Sequence, residues 1–373
     1  MNKDKMQRIR HLIEVGRKHD LTWILCMLPE NIFYFSGFRT MFYTRFIGVL
    51  VPVKEDQKPV LITSFIDRRL VEEKIWSPHW LEETVIWGPG SEYKFKTPFD
   101  GLKEYLSSNM RLGVDAIQYD FYEQLAKTFD GLQVVNLQDE ILEIRMVKSE
   151  DEIKLIKKAF ALTEEVISCV PELLQKPMTE KELAAELNHA ALKAGAEDNF
   201  YPTLVSAGSK MLAFHSPPLS RPIKDNEMIR VACGLQIDGY GSDVVRHFCK
   251  GQPPAELLRL KDAYFEALAV TFEMLRPGIS STELIRAVEK VYRKRECLEN
   301  WGYSVGHGLA LTIHEPPKIV SDDQTVLREN MVLAIEPILA CPPHGAFAHC
   351  DGVQITADGA EWLSTGLRDL VII

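Results

Sequence analysis

Apolar residues at the start of the chain fall on one side of a helix. Met6, Ile9, Leu12 and Ile13 recur at helical intervals and predict a single buried stripe. The texture changes at TWILCML (22–28), a short apolar block rich in strand formers that Pro29 ends. FIGVLVPV (46–53), PVLITS (59–64), RLGVD (111–115) and LQVVNL (132–137) repeat it, with helical stretches expected near 65–75, 99–109 and 120–129. Such alternation predicts an α/β layer domain.

A second pattern starts at MVKSEDEIKLIKKAFALTEEVISCV. Here Ile153, Ile156, Phe160, Val166, Ile167 and Val170 recur at helical spacing behind Ser149, a capping residue. The boundary is placed so that residues 1–147 form the first domain and 148–373 the second. Thr179 and Glu182 have the spacing of a capping box and open a helix that runs to Gly195. Further helices are expected over 254–275 and 280–295, the latter opened by Ser280 or Ser281. Strand-like segments lie at 201–208, 228–239, 244–249, 331–340 and 351–359. Helices segregated from antiparallel-looking strands predict an α+β second domain.

Composition narrows the functions. With 373 residues, 46% of them hydrophobic, each domain has enough apolar content for its own core. A net charge of -10, from 43 basic and 53 acidic residues, argues against a nucleic-acid or anionic-membrane surface and favours a small-molecule or short-peptide substrate. No apolar run has the length of a signal-peptide core or a membrane span, so a cytoplasmic location is expected. The seven cysteines are scattered and lack a CxxC pair, which argues against a disulfide frame or zinc knuckle. GPGSEY (88–93) lacks the GK[ST] ending of a phosphate loop and reads as a turn.

The chemistry-bearing residues gather in the second domain. They are His215, Asp243, His307, His314, Glu336 and the His349-Cys350-Asp351 cluster. Taken singly, each reads more readily as a hydrogen-bonded structural residue than as a ligand. In YSVGHGLALTIHEPP (303–317), His307 stands between glycines that permit close approach of backbone to a ligand, and a bend after it would bring His314 to the same cleft. Glu336 ends the apolar strand MVLAIEPI, where a carboxylate needs a cation or several donors.

GHGLALTIHEPP, NMVLAIEP and the strands around GYGSDVVRHF resemble the pita-bread metallohydrolases, the family of Xaa-Pro aminopeptidases, prolidases, methionine aminopeptidases and creatinase. NIFYFSGF (31–38) and RMVKSEDEI are similar to the creatinase and aminopeptidase P branch. The resemblance implies a creatinase-like N-terminal domain, a pita-bread C-terminal domain, a homodimer, and a site where two divalent ions share five ligands. Three of those ligands map onto Asp243, His307 and Glu336. The other two fall on Ala232 and Cys350. A substrate-facing histidine falls on His215 and a proton-handling one on His314, while a third corresponds to Tyr303.

A methyl group at 232 cannot bind metal, so the first ion position is expected to be empty. The second is expected to hold one divalent ion, Zn or Fe with Mn as a further candidate, on Asp243, His307 and Glu336, with Cys350 either a fourth ligand or a small filler. Four functions are compatible with these residues: a one-metal hydrolase or lyase acting on a small C–N-bonded substrate; a metal-free creatinase-like enzyme using His215; a non-catalytic binder of a ligand or protein; and a dinuclear Xaa-Pro peptidase. His349 is expected to face away from Cys350's side of its strand.

Overall fold

The computed structural model describes residues 3–54, 56–76 and 79–373. The chain forms two compact units, Met1–Arg145 and Met146–Ile373.

In the first unit, the apolar stripe lies on α1 (Lys3–Lys18), with Leu12 fully buried. Pro29 ends β1's apolar block (β1, Trp23–Cys26) by opening α2 (Pro29–Ser36). That helix leaves little helical pattern in the sequence, because Asn31, Ile32, Tyr34, Phe35 and Ser36 are all buried. There follow β2 (Gly48–Pro52), β3 (Val60–Ser64), α3 (Arg68–Glu72), β4 (Glu83–Trp87), α4 (Pro98–Leu102), β5 (Arg111–Val114), α5 (Tyr119–Thr128), β6 (Gln133–Asn136) and α6 (Gln138–Met146). The helices expected at 65–75 and 99–109 are shorter than the pattern suggests. The strand at 83–87 buries only Val85 fully, so its apolar signal is weak. The six strands form one mixed sheet in the order β4-β3-β2-β1-β5-β6.

The second unit opens with α7 (Glu150–Ile167), where Ser149 and Glu152 close the capping box. After α8 (Val170–Leu173), Thr179 and Glu182 cap α9 (Glu180–Ala194) in the same way. Then come β7 (Asp198–Ala207), β8 (Met228–Ile237), β9 (Tyr240–Gly241), β10 (Val244–Cys249), α10 (Ala255–Met274) and α11 (Ser281–Lys294), the last capped by Ser280. The remaining strands are β11 (Ser304–Gly308), β12 (Glu315–Val320), β13 (Val332–Ile335), β14 (Leu339–Cys341), β15 (Gly345–Phe347), β16 (Asp351–Ile355), β17 (Ala360–Trp362) and β18 (Val371–Ile372).

These strands build two sheets. One has the order β18-β10-β8-β7 with β9 on β8, the other β12-β11-β13-β16-β17, and β14 and β15 form a separate ribbon. The pairings are antiparallel except β10–β18. An isolated Val245–Cys350 bridge joins the two sheets. The segment 331–340, expected as one strand, breaks after Ile335 because Pro337 has no N–H to continue the ladder. Strand β8 is buried on both faces over Met228–Leu235, since α7 packs against it. Among the described residues no helix is long and apolar enough to cross a membrane.

Candidate metal centre

Asp243, His307 and Glu336 meet where the two sheets come together. Asp243 directly precedes β10 and is 5% exposed. Its Oδ1 accepts a 2.7 Å hydrogen bond from the Tyr201 hydroxyl on β7. His307 sits inside β11 with β12 and β13 on either side. Its Nε2 lies 3.8 Å from Asp243 Oδ2 and 3.6 Å from Glu336 Oε1. Glu336 leaves the end of β13, with its backbone N–H donating to Val305.

The glycines around His307 are required by the close passage of neighbouring strands. A Cβ on Gly306 would meet the Ala334 carbonyl oxygen at 2.0 Å, and one on Gly308 would meet Pro316 O at 2.3 Å. Close backbone packing on both sides therefore holds the ring in place. The Gly308 carbonyl, 3.0 Å from Nδ1, can only accept, so Nδ1 carries a proton and Nε2 is the nitrogen that faces the carboxylates.

Charge at the centre is tightly linked. Burial and the neighbouring Glu336 charge push Asp243 up to about 6, against the pull of His307, Tyr201 and Cys350. Burial alone would lower His307, but the hydrogen bond and charge of Glu336 together with Asp243 outweigh it and raise the ring to about 9. His314 is lowered, first by partial burial and then by His307, and its ring stands 4.4 Å from the His307 ring in a T-shaped contact. His215 is exposed and within electrostatic reach of His314.

The two changed positions flank one residue. Val245 of β10 pairs with Ala232 on β8 and bridges to Cys350 on the other sheet. Cys350 is fully buried and its thiol donates to the Asp243 backbone carbonyl at 3.7 Å. Burial and then the charges of Asp243, Glu336 and Asp351 push that thiol well above its ordinary value, which keeps it neutral. Tyr303 packs at a tilt against Trp301 and is 52% exposed. His349 is fully buried and stacks on His247 of β10.

Among the described residues no group of three or more His, Cys, Asp or Glu side chains is placed so that it could hold a metal ion as it stands. The donor types at Asp243, His307 and Glu336 are nonetheless those a divalent cation takes. Two carboxylates share an imidazole whose far nitrogen is already anchored to a carbonyl. At position 232 the methyl group of alanine offers no donor.

Two pocket residues escaped the sequence reading. Tyr201 lies 42 positions from the carboxylate it holds, and nothing local announces that contact. Arg230 had a signal, a charge inside the apolar run MIRVACGL two residues before Ala232. It is 3% exposed and donates to the carbonyls of Met211 and Phe214, just ahead of His215.

Residues 154–362 match the sequence profile of "Metallopeptidase family M24", and residues 8–147 that of "Creatinase/Prolidase N-terminal domain". The Xaa-Pro dipeptidase of Pyrococcus furiosus is 25% identical over 366 residues, covering 98% of this chain and 99% of its own. The solved prolidase of Pyrococcus horikoshii OT3 has a TM-score of 0.85 at 24% identity, over 96% of this chain and 98% of its own. The N-terminal domain of the FACT complex subunit SPT16 from chickpea scores 0.80 at 15% identity, over 98% of each chain. The last two likenesses concern fold alone.

Proposed function

The chain belongs to metallopeptidase family M24, and from that premise we propose that it hydrolyses short Xaa-Pro-type peptides or a related small C–N-bonded substrate with one divalent ion. Asp243, His307 and Glu336 would hold that ion. The observation that carries this reading is the His307 ring, anchored through Nδ1 and presenting Nε2 to both carboxylates. Relatives named as Xaa-Pro dipeptidases along nearly the whole chain support the substrate class.

The ion, when bound, supplies Lewis acidity toward a carbonyl or a water. The remaining work belongs to the chain. His314, kept neutral, takes or returns a proton at the leaving nitrogen. His215, exposed and within electrostatic reach of His314, orients the substrate, and Tyr303, exposed four residues before His307, is a further substrate contact in this reading. Tyr201 holds Asp243 in its rotamer. Cys350 is a fourth ligand only if its thiol gives up the Asp243 carbonyl. A cytoplasmic location, where the seven free cysteines would stay reduced, belongs to this reading. A homodimer completes the proposal, and light scattering checks it.

Elemental analysis of chelator-free protein tests the centre. About one Zn, Fe or Mn per chain, lost in Asp243→Ala, is the expected result. Two ions per chain would overturn the one-ion reading, and none would favour metal-free chemistry through His215. A zinc titration of Cys350→Ala with unchanged affinity would remove the thiol from the ligand set. Turnover of an Xaa-Pro dipeptide series tests the substrate class separately.

A further inference from the structure

Arg230 is a buried cation that the one-ion scheme leaves unused. In β8 it stands opposite His247 of β10, and Ala232 stands opposite Val245, in unbroken register. Arg230 and Ala232 therefore leave the same face of the sheet. The guanidinium is 3% exposed and spends two donors on Met211 O at 3.3 Å and Phe214 O at 2.6 Å. Among the described residues no carboxylate is in ion-pair contact with it. It feels instead the charge of Glu336 and the phenol of Tyr201, the residue that holds Asp243. A buried guanidinium without an ion pair is costly unless a nearby negative potential offsets it. The Asp243–Glu336 pair, short of cations on its Ala232 side, is such a potential.

We propose that Arg230 supplies the fixed positive charge on the Ala232 side of the Asp243–Glu336 pair, so that the pocket accepts one divalent ion and rejects a second. The carbonyl bonds to Met211 and Phe214 keep the guanidinium at that place and tie the segment carrying His215 to β8. The inference rests on the one-ion reading, yet it can be judged apart from it.

The experiment is zinc binding under excess Zn(II), by elemental analysis and titration, with thermal melting to check that each variant is folded. Arg230→Met in the natural chain is expected to keep one zinc and to bind it on the order of tenfold more tightly. Ala232→Asp is expected to stay at one zinc, because the new carboxylate pairs with the guanidinium. Adding Arg230→Met to it raises the count to two, while adding Arg230→Lys does not. The proposal is overturned if removing the guanidinium changes neither the zinc affinity of the natural chain nor the count in Ala232→Asp. A natural chain that binds no zinc would sink the one-ion reading alone, since the comparison of Ala232→Asp with and without Arg230→Met still judges Arg230. Should the double variant fail to fold, the affinity of Arg230→Met decides.

Discussion

Acid should weaken the second unit through His247. The ring is 1% exposed, with Phe347 5.3 Å and His349 5.9 Å away between ring centres. Its Nε2 accepts the Ala348 N–H, which fixes the proton on Nδ1, and that atom makes no bond of good geometry among the described residues, the Ala346 carbonyl being the one group that opposes the shift. Burial first, then His349 and the guanidiniums of Arg230 and Arg246, push its pKa well below the ordinary 6.5, so the folded ring stays neutral. The unfolded chain binds a proton near 6.5 that the folded chain refuses. Stability is therefore full above that value and falls as pH drops below it, by about 1.4 kcal/mol per pH unit. Between pH 7 and pH 5 this one ring removes about 2 kcal/mol. The assay is urea unfolding of the natural chain and His247→Phe at both pH values, following the transition of the second unit. Phenylalanine loses the Ala348 bond at both pH values, so that cost cancels in the difference. The natural chain should lose about 2 kcal/mol more than the variant on acidification. Equal losses would refute the claim that this ring is held neutral.

Three further outcomes follow from single contacts. Lys148 and Glu315 form an ion pair at 3.2 Å with both side chains 1% exposed, so Lys148→Met should cost about 3–5 kcal/mol in urea unfolding, and adding Glu315→Gln should recover most of it. A Cβ on Gly352 would meet the Phe160 ring at 2.2 Å, so Gly352→Ala should destabilise by about 1–3 kcal/mol, relieved by Phe160→Leu. Tyr201→Phe leaves Asp243 without its phenol donor and should weaken zinc binding by about 10–100-fold in a calorimetric titration, with the melting temperature little changed.

What the sequence revealed was local. Ser149 with Glu152, Thr179 with Glu182 and Ser280 with Glu283 form their capping boxes within one turn, so each helix start can be read from four consecutive residues. Asp243, His307 and Glu336 were legible through motifs whose spacing resembles a known family. Features that arise between distant strands were not. The roles of Gly306 and Gly308 depend on β12 and β13 passing on either side, which no stretch around His307 states. His349 was expected on the face away from Cys350, and only the fold shows that this face is filled by His247 and Phe265. Strands β11 and β12 escaped notice because their glycines and prolines read as a bend.

The changed positions are contiguous, and that has a consequence for restoring them one at a time. Ala232 and Cys350 both touch Val245, while Arg230 faces His247, which stacks on His349. Around Cys350, burial first and then the charges of Asp243, Glu336 and Asp351 already hold a thiol neutral, with Arg246 the charge opposing them. A carboxylate placed there in the metal-free chain adds a fourth negative group where water does not reach. Cys350→Glu should therefore lose about 3–5 kcal/mol of stability without metal. A divalent ion between the new carboxylate and Asp243 would offset that cost, so saturating zinc should raise the melting temperature of Cys350→Glu well beyond its effect on the natural chain. Melting both proteins with chelator and with excess zinc makes the comparison. Equal zinc shifts would show that Cys350 does not face the ion, and a Cys350→Glu chain as stable as the natural one in chelator would show that the pocket carries less negative charge than its residues imply.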